Sequence, residues 1–564
     1  MQRDPSALAR SEFDVAIIGG GICGAAAAWD AAQRGLSVAL LERGDFGQAT
    51  SANSLKVVHG GIRYLQHLDL ARVRESSRER SALLRIAPHL VHPMPVLVPT
   101  FGHGAQGGEA LATAFLLLNA LTWDRNRGIG EPERRIPPAR LLSRAEALQR
   151  CPEIDSPGLT GAGLFWDGQL YNPPRLVWEF VRTAGHAGAT VVNYCEVREL
   201  VRRRDRVVGV TAVDRLSGAR FEVRAQVVIN AAGPFAEQLY VRSGLRPARE
   251  IPLSRDMALV IARRPTGEHA LAVQTRFRDP DAWLSRGRRH LFLAPWRDVV
   301  LIGVNSAIYR GDPDRLGVTQ DEVEGFLDEI NLAAPWLGLT VNDVALVYAG
   351  LLPIGASDLV GTEVSFGKRS HVVDNALTDR VEGLVTAVAN RFTTARGVAE
   401  RAVDLAGRKL GRALAASRTT TTPLYGTPLD GLPELVREVT AQCRGRLEPG
   451  VAEQLARNHG TGWRDVFHLL QNAPSHGKTI GPSRTLGAEV LHAVREEMAQ
   501  TLTDCVFRRT DIATSGNPGE VALRTCANLM AAELGWDATR QERELEETRA
   551  HFPHQRATRG LARS

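Results

Sequence analysis

The chain has 564 residues, 44% of them hydrophobic and 23% charged, with a net charge of +6 and a pI near 9.2. That length exceeds what one hydrophobic core serves and points to two or three domains of a soluble globular protein. The arginines behind the positive charge are spread along the chain, and no nucleic-acid recognition motif accompanies them. This argues against a nucleic-acid partner and leaves anionic small molecules and a membrane surface. The six cysteines form no CxxC pair, so free thiols in a reducing, cytoplasmic compartment are expected. The opening residues lack the apolar core of a signal peptide. The longest apolar stretch, ALATAFLLLNALTW (110–123), is too short to span a bilayer.

Residues 1–12 are polar and read as loose. FDVAIIG (13–19) is an apolar run ending in glycine, a buried parallel strand. The alanine-rich ICGAAAAWDAAQRG (22–35) reads as a helix and LSVALLE (36–42) as a second buried strand, giving a βαβ unit at the start of the fold. Residues 69–87 and 135–152 have helical spacing. Residues 175–200 read as helix then strand, and a β-rich meander ends in VVINAAGP (227–234). Strand-like alternation fills 251–310, a helix is expected at 320–336, and 383–411 returns to strand, loop and helix. A polar linker at 416–431 precedes a wholly helical segment, 432–550.

The first loop, Gly19-Gly20-Gly21-Ile22-Cys23-Gly24, fits GxGxxG. Gly19 permits the tight turn, Gly21 the approach of a pyrophosphate, and Gly24 the close packing of helix on strand. Glu42, at the end of the second strand, is placed to accept hydrogen bonds from a ribose. The late return of the chain through the strand into Ala232-Gly233 favours FAD over NAD as the dinucleotide.

These segments resemble the FAD-dependent glycerol-3-phosphate dehydrogenases, a branch of the D-amino-acid-oxidase-like flavoproteins. The resemblance is carried by FDVAIIGGGICGAAAAWDAAQRGLSVALLERGDFGQATSANSLKVVHGGIRYLQH, RIAPHLVHPMPVLVPT, VVINAAGP, FLAPWRDVVLIGVNSAIYRGDP, VYAGLLPI and NRFTTARGVAERAV, and in the tail by MAQTLTDCVFRRTDI. It implies an α/β fold, α+β overall: a Rossmann-like FAD-binding domain (13–100, 150–240 and 345–412), a β-rich substrate-capping domain (101–149 and 241–344) and a C-terminal helical domain (420–550).

It further implies that Thr50, Ser51, Ser54 and Lys56 contact pyrophosphate or flavin, and that His59, Gly60 and Gly61 let backbone and ring approach the cofactor. Arg43, Val197, Ala232, Gly233, Thr393 and Thr394 complete the expected cofactor contacts. Arg63 would point toward a substrate phosphate, and Tyr64, Arg369, Arg391 and His371 join it as candidate catalytic residues. No metal site is expected. The implied reaction is hydride transfer from a secondary alcohol to flavin N5, with a quinone or oxygen reoxidising the flavin. Peripheral membrane contact and a homodimer stay open.

The substrate half departs from the family. Arg255-Asp256-Met257-Ala258 stands where Lys-Gly-Ser-His is usual, so a candidate base is replaced by Ala258. Leu352 replaces an arginine, and Ala389-Asn390-Arg391-Phe392-Thr393-Thr394 replaces Gly-Gly-Lys-Leu-Thr-Thr. A substrate other than glycerol 3-phosphate is one consequence. C–N oxidation of an amine or amino acid is a second reading, and a non-catalytic flavin-binding protein a third.

Overall fold

The computed structural model describes residues 1–104, 107–246, 252–263, 267–278, 288–354, 359–360, 363–364, 370–448 and 450–552. The strand Glu12–Ile18 is buried from Phe13 onward, as an apolar run without alternation requires when both faces of a parallel sheet are covered. It pairs in parallel with Val38–Leu41 on one side and Arg220–Asn230 on the other. The sheet runs His371–Asp374, Leu384–Val388, Arg220–Asn230, Glu12–Ile18, Val38–Leu41, Thr190–Val192, with the meander 195–214 attached to Arg220–Asn230. Helix Ile22–Gln33 is buried from Ile22 to Ala32, because it lies between helices Pro173–His186 and Ala395–Lys409. Its Trp29 meets Phe180 edge-on at 5.5 Å.

A second sheet lies beside the first. It runs Val344–Pro353, Leu253–Ile261, Val299–Tyr309, Arg288–Trp296, Ala270–Arg278, Val91–Phe101, Leu159–Leu170, Val57–Val58. Its pairings are antiparallel except for Ala270–Arg278 against Val91–Phe101. The second sheet joins strands from both expected domains: Val57–Val58, Val91–Phe101, Leu159–Leu170 and Val344–Pro353 lie in the same sheet as the capping strands.

Two local readings change. Residues 1–12 are tied down. Asp4 caps a helix, Pro5–Arg10, with bonds from the Ser6 and Ala7 N–H groups, and Leu8 is fully buried. Residues 135–152 hold a strand, Arg140–Ser143, before a shorter helix, Arg144–Arg150. That helix starts where Ser143 and Glu146 form a capping box.

Helices from Leu432 to Arg549 form the C-terminal domain. It docks on the flavin side through a buried ion cluster. Asp45 accepts from Arg508 Nε at 2.7 Å and from Arg509 Nη2 at 2.6 Å. Burial alone would push this carboxyl up, but the two guanidiniums hold it below the usual carboxylate value. The cluster therefore stabilises the fold above the unfolded pKa near 4, and that contribution is lost as the pH falls through the lower folded value. Arg509→Ala leaves Asp45 buried beside a single cation. It is expected to destabilise the protein by about 3–5 kcal/mol at neutral pH, read by denaturant unfolding. The deficit should shrink in acid, where Asp45 loses its charge.

Candidate functional site

A cavity of about 310 Å³ opens at the carboxyl ends of the central strands, where open α/β sheets bind ligands. Its floor is the glycine loop. Gly19 has φ +100°, and a Cβ there would lie 2.7 Å from the Ala231 carbonyl oxygen. A Cβ on Gly24 would lie 1.8 Å from the Gly19 carbonyl oxygen, so Gly24 serves the packing of helix on strand and does not line the cavity. Gly21 caps helix Ile22–Gln33 without a side chain, which leaves a helix N-terminus facing the cavity. Ser51 Oγ accepts from the Ile22 N–H at 3.0 Å. Glu42 accepts from the Gly20 and Gly44 N–H groups at 2.6 and 2.8 Å. Burial pushes its carboxyl up, against the pull of those two bonds. Each oxygen keeps a lone pair for a ribose hydroxyl. Arg43, Val197, Ala232 and Gly233 share the wall.

Residues 47–59 form a strap across the cavity, and Thr50, Ser51, Ser54 and His59 line it. Lys56 does not. Its φ is +59° and its Nζ lies 3.8 Å from the centre of the Tyr348 ring and 4.7 Å from that of Trp296. Burial, with Arg297 nearby, pushes its amine well below the usual lysine value. Gly60 and Gly61 are also off the wall, and their need for glycine comes from the protein. A Cβ on Gly60 would sit 2.0 Å from Arg80 Nη1, and Gly61 has φ +89° with Ser76 Cβ 3.0 Å from where its own would be. Thr393 lines the cavity, and its Oγ1 accepts from the His59 N–H at 3.0 Å. Thr394 is buried behind it, at the N-terminus of helix Ala395–Lys409.

At the far end the cavity is lined by His59, Asp256, Ala258, Val304, Leu352 and Arg391. Arg63 and Tyr64 sit in the turn Ile62–His67, off this wall. Tyr64 reaches it through Arg391, whose Nη1 donates to the Tyr64 hydroxyl at 2.8 Å. His371 is exposed on an edge strand opposite Val388 and is not on the wall. Arg369, like Lys368, lies outside the described residues.

Asp256, expected near the substrate from its place in the altered stretch, does line the cavity, whereas Asp167 was not foreseen. Asp167, buried in Leu159–Leu170, faces His59 Nδ1 at 3.5 Å. It also accepts from the Gly60 N–H at 2.5 Å and from Arg80 Nη1 at 3.0 Å. Burial pushes it up, but these partners hold it below the usual value, so it stays ionised behind an imidazole that faces the cavity. Asp256, from the strand in which Ala258 replaces the histidine, accepts from Ser254 Oγ at 2.6 Å. A lone carboxylate inside the apolar FWDGQL was the available sign for Asp167.

A helix N-terminus opened by Gly21, a carboxylate after the second strand and a hydroxyl-bearing strap fit FAD, and together they define an FAD-dependent oxidoreductase. Comparison with known proteins agrees. Residues 14–405 match the family described as FAD dependent oxidoreductase, and residues 417–541 the C-terminal domain of alpha-glycerophosphate oxidase. The chain is 30% identical over 546 residues to the glycerol-3-phosphate dehydrogenase of Synechocystis, covering 95% of each chain. It is 32% identical over 542 residues to that of Mycobacterium leprae, covering 95% of this chain and 87% of the other. The crystal structure of the Bacillus halodurans glycerol-3-phosphate dehydrogenase with FAD superposes with a TM-score of 0.76 at 24% identity, over 97% of this chain and 95% of that one. The chain belongs to the FAD-dependent glycerol-3-phosphate dehydrogenase family.

Gly24→Val is expected to abolish FAD retention, because its side chain cannot coexist with the Gly19 carbonyl. Lys56→Met should keep FAD in stoichiometric amount, since the amine faces aromatic rings away from the cavity. Flavin absorbance per protein after gel filtration reads both.

Proposed function

We propose that the protein oxidises the secondary hydroxyl of a small polyol carrying an anionic group, with glycerol 3-phosphate the first substrate to test. In this reading His59 takes the hydroxyl proton. One observation carries it: an imidazole on the cavity wall is oriented by a buried carboxylate, Asp167, which is how a positioned base and its orienter are built. Bound FAD supplies the hydride acceptor. Asp167 holds the ring and stabilises the charge it gains. Arg391, steadied by the Tyr64 hydroxyl, holds the anionic group. Ala258 and Leu352 offer no donors, so the far wall is less polar than the resemblance implies and admits a bulkier neighbour to the reacting carbon.

A second reading, oxidation of an amine, is favoured by Asp256, whose carboxylate on the same wall suits an ammonium group. Anaerobic mixing of the flavoprotein with glycerol 3-phosphate, then with other polyols, hydroxy acids and amines, separates the two. Bleaching of the flavin by amines alone overturns the first.

His59→Asn is expected to lower kcat by about 10²–10⁴ with FAD still bound. Asp167→Asn keeps the shape, removes the charge and should lower kcat less. Arg391→Met should act mainly on KM for an anionic substrate. A kcat unchanged in His59→Asn sinks the assignment of the base.

Of the two acceptors expected to reoxidise the flavin, oxygen and a quinone, the quinone would be met at a membrane surface. Among the described residues no helix is long and apolar enough to cross a membrane, but helix Gly108–Leu121 presents an apolar face to solvent. Leu116 is 73% exposed, and Trp123 just beyond the helix is 75% exposed, with Leu117 and Phe101 also in water. Such a face lies in the plane of a bilayer interface, with tryptophan at the headgroup level. Flotation with lipid vesicles should carry the protein upward and lose it in Leu116→Glu/Trp123→Glu. Wild-type protein that stays at the bottom, or forms a dimer which these changes dissolve, assigns the face to a second copy instead.

A further inference from the structure

The C-terminal domain contains a cluster that the redox chemistry does not use. His459 ends helix Val451–His459, His492 lies in helix Gly487–Arg495, and Glu497 follows it. All three side chains are at most 1% exposed. One ligand atom from each lies within 4.8 Å of the others. Glu497 Oε1 is 3.3 Å from His492 Nε2 and 4.0 Å from His459 Nδ1. Among the described residues, Glu497 Oε1 and both ring nitrogens of His492 make no hydrogen bond. Buried polar atoms without a hydrogen bond are rare and each costs about 1–3 kcal/mol. His492 Nε2 and Glu497 Oε1 face one point with His459 Nδ1 beside it, and that convergence calls for a ligand there.

We propose that His459, His492 and Glu497 bind a divalent cation, zinc by the donor set, with a fourth position left to water. Two imidazoles and a carboxylate are ordinary zinc ligands. Zinc bonds of about 2.0–2.2 Å place tetrahedral ligands roughly 3.4 Å apart, close to the 3.3 Å already present between Glu497 and His492.

The surroundings orient the donors. Glu489 Oε2 lies 2.9 Å from His459 Nε2 and accepts its N–H bond, which leaves the Nδ1 lone pair turned inward, as an outer carboxyl group does behind a metal-bound histidine. Arg175 holds the other Glu497 oxygen and so points Oε1 at the site. Arg175 Nη2 also lies 3.3 Å from His459 Nδ1. The cation replaces that long bond, while Arg175 keeps Glu497 and the Asn458 carbonyl at 2.8 Å. Arg509, 4.0 Å from Glu497, is neutralised by Asp45. Glu497, pushed up by burial but held well below the usual carboxylate value chiefly by Arg175, supplies the negative charge at the site. Arg175 belongs to a helix of the flavin-binding layer, so the ion would fasten the C-terminal helices where they meet that layer.

The test uses the whole FAD-loaded protein, treated with chelator, dialysed, and titrated with Zn²⁺ and separately with Co²⁺. Elemental analysis after gel filtration should find one zinc per chain. Co²⁺ should give the intense ligand-field bands of a four-coordinate ion beyond the flavin absorption. His459→Gln and His492→Gln should each cut uptake more than tenfold with FAD content unchanged, and Glu489→Gln should weaken affinity by about 10–100-fold. Uptake below a tenth of an ion per wild-type chain overturns the proposal and leaves an ordered water in the space. So does uptake that persists in both histidine variants. If the variants lose FAD, the wild-type stoichiometry and the cobalt spectrum decide alone.

Discussion

Asp167 is the carboxylate on which the reacting end of the molecule depends. It lies on the capping sheet, yet its oxygens hold the backbone of Gly60, the guanidinium of Arg80 and the ring of His59. A buried carboxylate with fewer partners would be costly to keep charged. With three, it becomes a fixed point at which the strap leaves the cofactor layer and joins the second sheet. The glycine pair is explained by this. Gly60 is glycine because Arg80 must pass over it to reach Asp167, and Gly61 because the chain must then turn through a positive φ.

The two ends of the cavity are built on different principles. At the dinucleotide end, polar groups are backbone N–H groups, short hydroxyls and one carboxylate, held by the sheet itself. At the far end, polar groups come from separate elements: His59 from the strap, Asp256 from the capping sheet, Arg391 from the loop before helix Ala395–Lys409. The first end tolerates little change because a common cofactor must fit it. The second can exchange a histidine for Ala258 or an arginine for Leu352 without disturbing the first, and this is how one fold serves several substrates.

The cofactor end was legible because its signals are local: strand, glycine spacing, helix and acidic residue fall within one short stretch. The far end was less so. His59 and Asp167 are far apart in the chain, and nothing in either segment announces the other. Lys56 sits within a flavin-contacting motif but turns away at a single positive φ, which spacing does not reveal. His371 looked available as a base by its place in the lobe, but the strand that carries it lies at a sheet edge, away from the cavity wall. The first twelve residues looked loose because their anchors, Asn193 and Glu496, come from distant parts of the fold.

The C-terminal domain is tied to the segment that crosses the cavity. Asp45 lies just before the strap and Asp167 marks its end, and each is fixed by buried arginines from elsewhere: Arg508 and Arg509 of the C-terminal domain at one end, Arg80 of helix Leu70–Ile86 at the other. Between these anchors the strap is tied further, with Thr50 Oγ1 donating to the Leu351 carbonyl and the Ile22 N–H donating to Ser51 Oγ, while Thr50, Ser51 and Ser54 line the cavity. Loosening either anchor would release one end of the segment that lines the cavity. The helical domain is therefore joined to the cavity wall through the ion cluster that fixes Asp45, just before the strap.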